Sequence, residues 1–468
     1  MVMELTRNLH IVLLIGVVCV VQAIAVICPY SDLICSCDSE ILCYGLQQIP
    51  PLITGDNVGK FTYLTFQVGN ITNIPSNSLP PGLTLIELSS HPISSIADDA
   101  FDSSADTLET FTIKESHLTS LPTALKKLSK LIRLFIDDTP IQVWDTATLK
   151  QIAPTVENLA LRNVSLSTWP SWISDFNSLL TLDLSGNPLN AIPDDAFNSL
   201  KESVTVLELR NTGLTHVPQA LSTLSSLISL DLRNNNFTDV SEIERIAGSP
   251  FARNLTDLFL DSSGLTGAAN LTNLTSLKVI GLSNNRISDV AAGSLPRSLI
   301  ALYLSNNSLS SVPQDVAFLN SLTDLYLSNN RIKEIEPTSF PSSLVYLDLH
   351  FNNLTVITNT TFTHLSLLEH LLLNFNPIST IEPAAFSDLV SLQQLSLIET
   401  HLTEIPLAFS LLSPQTDLSI TTTQPFSCPC PAPRELVEWY SSRALFSTIH
   451  LYCSSGQLID SYLSGQCR

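Results

Sequence analysis

The chain repeats itself. The pattern Leu-x-x-Leu-x-Leu-x-x-Asn-x-Leu is plain in Leu179, Leu182, Leu184, Asn187 and Leu189. It returns from Leu227, Leu277, Leu299, Leu322, Leu344 and Leu368, each time with asparagine in the ninth place. Degenerate copies begin at Phe61, Leu83, Leu108, Leu131, Val156, Val204, Leu255 and Leu392, which makes fifteen copies with starts 22 to 28 residues apart. A unit that short cannot bury an apolar face alone, so stacking of neighbours into one continuous core is the architecture left open to it.

Each place in the repeat has a physical task. Residues one, four and six are apolar and point inward, while those between them lie on a short parallel strand facing solvent. The ninth residue turns the chain away from the strand, where an asparagine side chain satisfies backbone groups that the turn leaves unpaired. Asn187, Asn235, Asn285, Asn307, Asn330, Asn352 and Asn376 therefore read as a structural ladder. His91, Ser116, Thr139, Thr212, Ser263 and Thr400 take that place elsewhere and mostly keep a hydrogen-bonding group; Val164 does not. The second half of the repeat carries Ile-Pro, Val-Pro or Trp-Pro and then a phenylalanine, as in Ile192-Pro193 before Phe197, and similar segments end at Phe101, Phe340, Phe362 and Phe386. These rings are expected to form a spine under a convex side that proline keeps irregular or short-helical.

This pattern resembles the leucine-rich-repeat family over about residues 61 to 412. The resemblance implies an α/β fold: a horseshoe-shaped solenoid with a parallel concave β-sheet, an irregular convex side and disulfide caps. Such repeats mainly offer extended concave binding surfaces, so the chain is expected not to be an enzyme.

The cysteines fit capped ends. Of nine, Cys19 falls in an apolar leader, and the other eight divide into Cys28, Cys35, Cys37 and Cys43 at one end and Cys428, Cys430, Cys453 and Cys467 at the other. Their numbers alone leave three pairings per end. A zinc reading is weaker, because the Cys-x-Cys pairs are too close for ordinary ligand spacing and no histidine pair accompanies them. The first cluster, followed by Ile49-Pro50, resembles the family's N-terminal cap; the second, with Pro425-Phe426 and Trp439, resembles its C-terminal cap. The resemblance implies Cys28–Cys37, Cys35–Cys43, Cys428–Cys453 and Cys430–Cys467. Gln424 stands where the family usually places asparagine.

The leader is an apolar run from Ile11 to Val21 followed by Ala23-Ile24-Ala25, small residues placed as signal peptidase requires. An uncleaved anchor competes, since Ile11 to Ile27 holds only Gln22 as a polar residue. The expected division is a signal peptide over 1–25, an N-terminal cap over 26–52, repeats over 53–412 and a C-terminal cap over 413–468. No second apolar run of spanning length follows, so no membrane span is expected once the signal is removed. The expectation is a secreted, extracellular protein.

A formal net charge of −21 argues against nucleic acid as a partner, because such a surface repels phosphate backbones. No nucleophile elbow, phosphate loop, zinc-protease helix or dinucleotide fingerprint occurs, and neither catalytic residue, cofactor nor metal is expected. His350 and His370 come nearest to a site. They are offset by four places on adjacent strands, about 13 Å at ~3.3 Å per residue, too far to share an ion. Asparagines in Asn-x-Ser/Thr sequences stand at 70, 163, 236, 254, 270, 273, 306, 353 and 359, so Asn70, Asn163, Asn236, Asn254, Asn270, Asn273, Asn306, Asn353 and Asn359 are candidate glycosylation sites.

Places three, five and seven of each repeat face the concave side, and their composition changes along the chain. Early repeats carry Arg133, Asp137, Arg162, Asp183, Glu208, Arg210, Asp231 and Arg233, whose alternating signs suggest mutual neutralisation. Later ones carry Phe259, Tyr303, Tyr326, Tyr346, His350, His370 and Leu372, the expected partner-binding set, since exposed aromatics clustered on one face are enriched at interfaces. Phe351 and Phe375, in the eighth place, are expected to turn inward as spine residues. The partner expected is an extracellular protein or glycan. Self-association as a homodimeric matrix component is the alternative, and a third is a non-catalytic subunit carrying a separate enzyme.

Overall fold

The computed structural model describes residues 27–30, 34–55, 60–237, 239–443 and 451–464; the expected leader over 1–25 and Cys467 lie outside them. Each of the fifteen repeats contributes one strand, from Tyr63–Gln67 to Gln394–Thr400, and each pairs in parallel with the strand of the next repeat. The chain is thus an open stack of parallel strands rather than a closed barrel. The fourth place sets the register: Leu182 pairs with Leu207, Leu207 with Leu230, Leu230 with Leu258, and the row continues through Ile280, Leu302, Leu325, Leu347, Leu371 and Leu395. Those side chains are inaccessible to solvent and form the apolar column. Removing one leucine from such a column costs about 2–5 kcal/mol, because its neighbours on both sides lose contact.

The ladder works as a relay between repeats. Asn187 donates from Nδ2 to the carbonyls of Leu161, in the preceding repeat, and Leu184, in its own. Its Oδ1 accepts the backbone N–H groups of Val164 and Leu166 at 3.1 and 3.0 Å. Each asparagine therefore caps the turn before it, which explains how Val164 is tolerated: its own N–H is served from the next repeat. Asn235, Asn285, Asn307, Asn330, Asn352 and Asn376 donate to the corresponding pair of carbonyls. At the second repeat His91 takes over, accepting the Ile71 N–H on Nδ1 at 3.3 Å. Gly69 makes the room, since a Cβ there would lie 2.6 Å from the His91 ring.

The eighth place is left-handed in every repeat, from Val68 (φ 51°) and Ser90 (φ 56°) to Gly186 (φ 76°), Asn284 (φ 57°) and Glu399 (φ 57°). Asparagine and glycine tolerate that geometry best, which accounts for their frequency there. It also corrects the expectation for Phe351 and Phe375. Their φ values are 51° and 54°, and they remain 44% and 43% exposed, turned out of the column rather than into it.

The convex side is short-helical. Single turns of 3-10 helix at Thr123–Lys127, Ser171–Asp175, Gln219–Thr223, Gln314–Phe318 and Leu407–Leu411 each follow a proline. Proline presets φ and lacks an N–H that the helix start would leave unpaired anyway. Two longer helices, Thr146–Ile152 and Val240–Ala247, begin at Asp145 and Asp239, whose side chains accept the first free N–H groups. Phe101, Phe197, Phe340, Phe362 and Phe386 are buried, and Phe362, Phe386 and Phe409 stack at 6.4 Å intervals.

Both ends are closed. Cys35–Cys37 and Ile41–Tyr44 form an antiparallel hairpin, and the latter pairs in parallel with the first repeat strand. Cys28 is joined to Cys37 and Cys35 to Cys43. At the far end Asp417–Thr422 adds a further parallel strand, bringing the sheet to eighteen. The sequence hid this strand because Gln415 stands where its first leucine belongs. Helix Arg434–Ser442 then lays Trp439 against Phe409 and donates the indole N–H to the Leu412 carbonyl. Cys428 is joined to Cys453, and Cys430 is also disulfide-bonded. No helix among the described residues is long and apolar enough to cross a membrane.

Candidate partner-binding face

Strands in the middle repeats are only three residues long, so the N–H of the seventh place has no ladder partner. An aspartate in the fifth place supplies one: Asp183 accepts from Ser185, Asp231 from Arg233 and Asp348 from His350. These carboxylates are nearly inaccessible, at 1%, 4% and 5% exposure. They give the concave face fixed negative charge on which longer cationic side chains settle.

In the early repeats those cations come from the chain itself. Arg162 bridges Asp183 and, at 3.1 Å, Asp137, the carboxylates of the two neighbouring strands. Arg210 pairs with Glu208 and reaches Asp183 at 3.7 Å and Asp231 at 3.5 Å, and Arg233 closes on Asp231 at 2.6 Å. Burial works against the Arg162 charge, yet the hydrogen bond and charge of Asp183 outweigh it and hold the guanidinium above its ordinary range. Burial first, and then the Asp183 charge, push the Glu208 carboxyl up. The stripe neutralises itself, leaving little unspent charge for a partner.

The later repeats are built differently. Tyr303 and Tyr326 stack with centroids 4.5 Å apart and planes within 10°. Tyr346 leans on Tyr326 at 5.0 Å, and His370 on Tyr346 at 5.8 Å. His370 is held in turn by Gln394, Nδ1 lying 3.2 Å from Oε1. The row crosses four consecutive strands, and each of its residues is half-buried. Burial, and then the neighbouring Tyr303, Asp324 and Tyr346, push the Tyr326 hydroxyl up to about 12, so it stays a neutral donor at physiological pH. Leu372 lies beside the row, two residues beyond His370.

A second row lies at the rim where the strands end. His350, anchored on Asp348, meets Phe351 edge to face at 5.4 Å, and Phe351 stacks on Phe375 at 4.2 Å with parallel planes. Sequence periodicity missed these two phenylalanines as surface residues; the asparagine or glycine occupying the same place in seven other repeats was the available signal. Phe259 stands apart from the other expected residues, separated from Tyr303 by the strand that carries Gly281. The Arg233 guanidinium lies over its ring at 4.9 Å. Among the described residues, no group of three or more His, Cys, Asp or Glu side chains is placed to hold a metal ion. All nine sequon asparagines are exposed.

Comparison with known proteins agrees with the repeat architecture. The family described as "Leucine rich repeat" matches residues 178–200, 297–341 and 342–402. Mouse podocan is 42% identical over 82 residues, a match that takes in 16% of this chain and 13% of podocan. Among solved structures, the Drosophila Toll–Spatzle complex aligns over 83% of this chain and 54% of the other with TM-score 0.61 and 18% identity. The mouse RP105/MD-1 complex aligns over 83% of this chain and 70% of the other, with TM-score 0.60 and 19% identity. A leucine-rich-repeat protein of Leptospira interrogans aligns over 76% and 82%, with TM-score 0.56 and 22% identity. At those identities the structures speak for the fold.

Proposed function

We propose that this chain, a leucine-rich-repeat protein, is a secreted recognition scaffold that binds an extracellular protein through the concave face of its later repeats. Its signal is residues 1–25, its caps are residues 26–52 and 413–468, and it performs no catalysis of its own. One observation carries the reading: the four-ring row from Tyr303 to His370, side by side across four strands and half-buried. Aromatic rings held in place by their neighbours lose little entropy on binding and supply both apolar area and hydroxyl donors. Two of the similar structures, Toll–Spatzle and RP105/MD-1, are complexes, which is in keeping with a binding role for this fold. Glycans on the exposed sequon asparagines complete the reading.

The alternative, a self-associating matrix component, draws on the Phe351–Phe375 stack, an apolar pair facing solvent at the rim. Light scattering on the purified protein, beside a Tyr303→Ser, Tyr326→Ser, Tyr346→Ser variant, separates the two. The recognition reading expects both to be monomers. A parent dimer that the variant abolishes would replace it with self-association.

A further inference from the structure

The fifth place of the later repeats forms a row of rings with one rung missing. Phe259, Gly281, Tyr303 and Tyr326 are register partners on four successive strands, and only the second has no side chain. Two strand spacings of ~4.8 Å separate Phe259 from Tyr303 by roughly 9.6 Å, room for one flat group between two rings. The gap belongs to an open depression of about 570 Å³ whose walls include Phe259, Tyr303 and Asn284.

Its base is a carboxylate. Asp261 lies where a Cβ on Gly281 would stand, so any larger residue there would displace it. Oδ1 accepts the Ser283 N–H at 2.8 Å. Asp257 lines the same depression. Neither carboxylate makes an ion pair among the described residues, whereas the one arginine in the lining, Arg233, is held by Asp231. Burial pushes the half-buried Asp261 carboxyl up, against the opposing charge of Arg233 nearby. Arg233 also supplies an internal precedent, since its guanidinium already stacks over the Phe259 ring.

We infer that the Gly281 notch takes an arginine side chain of the protein partner. The guanidinium slides between Phe259 and Tyr303 as the missing rung and sets its charge against Asp261 and Asp257. A guanidinium is flat, stacks on rings and remains charged, whereas lysine offers no plane and a sugar no charge. The inference rests on the concave face being the docking surface and names the chemistry of one contact there.

Calorimetric titration of the full chain with N-acetyl-arginine amide tests it, beside the lysine and citrulline counterparts and methyl glucoside. Arginine is expected to bind in the millimolar range, lysine several-fold more weakly, and citrulline and the glucoside not measurably. Asp257→Asn with Asp261→Ala should weaken arginine about tenfold, and Phe259→Leu by a similar factor. General attraction to an acidic protein would leave both variants unchanged and lysine equal to arginine, which would overturn the inference. Equal binding of citrulline or the glucoside, or no arginine binding at all, would overturn it too. Loss of arginine binding with partner binding still confined to the concave face would sink the notch alone; the reverse would sink the docking surface and leave the notch.

Discussion

Phe351 and Phe375 lie ring on ring, centroids 4.2 Å apart, on backbone that both hold in the left-handed region. Left-handed φ is uncommon for a bulky side chain and is kept where something outweighs the cost. Elsewhere the same place holds Asn163, Gly186, Asn211, Asn234, Asn284, Asn306 and Asn329. Two adjacent repeats therefore give up the favourable residue to put rings on the surface.

Replacing both rings with the residue their neighbours use should thus not harm the fold. Phe351→Asn with Phe375→Asn is expected to keep stability or raise it by up to about 1 kcal/mol, relief of strain offsetting the lost stack. Urea denaturation measures it. A loss of several kcal/mol would return the two rings to the core that the sequence pattern suggested for them.

The asparagine relay makes a different demand. Asn187→Ala leaves two buried carbonyls and two buried N–H groups without partners and should cost about 3 kcal/mol. Hydrogen exchange should quicken at the Val164 and Leu166 amides, which Asn187 Oδ1 serves, more than at distant repeats. Asn187→Thr, with the residue found at Thr139, Thr212 and Thr400, should recover part of the loss. An unchanged exchange rate at Val164 would show that the relay is dispensable.

His91 makes stability depend on pH. Burial lowers its proton affinity below the ordinary 6.5, so the folded chain holds it neutral while an unfolded chain takes up a proton sooner. Its contribution is complete above about pH 6.5 and is lost as pH falls through the lower, folded value. His91→Asn restores the usual ladder residue. The fall in unfolding midpoint between pH 7 and pH 5 should be smaller in that variant, and an identical fall would remove His91 from the account.

Much of this was legible from the sequence because one constraint recurs. Leucines at places one, four and six must meet their equivalents, so Leu182, Leu207 and Leu230 announce strand, register and core together. The convex prolines and the self-neutralising arginines followed from the same alignment. What escaped had no recurring partner to betray it. Asp417–Thr422 joins the sheet without an opening leucine, held by its neighbour's edge rather than its own pattern. Phe351 and Phe375 look apolar and hence inward, and only backbone φ shows otherwise. Gly281 carries no group to read; its meaning comes from Phe259 and Tyr303 on either side.

The central claim is that the later repeats' concave face meets the partner, and a glycan placed on it tests that most directly. Asp324→Asn with Tyr326→Thr creates an Asn-x-Thr acceptor in the middle of the ring row. Leu411→Asn, ahead of Ser413, places one on the convex helix Leu407–Leu411, at a residue 48% exposed. Parent and both variants are compared for binding across a panel of displayed extracellular proteins. The account predicts that a protein bound by the parent is lost with the concave glycan and kept with the convex one. Binding that survives the concave glycan and disappears with the convex one would contradict it.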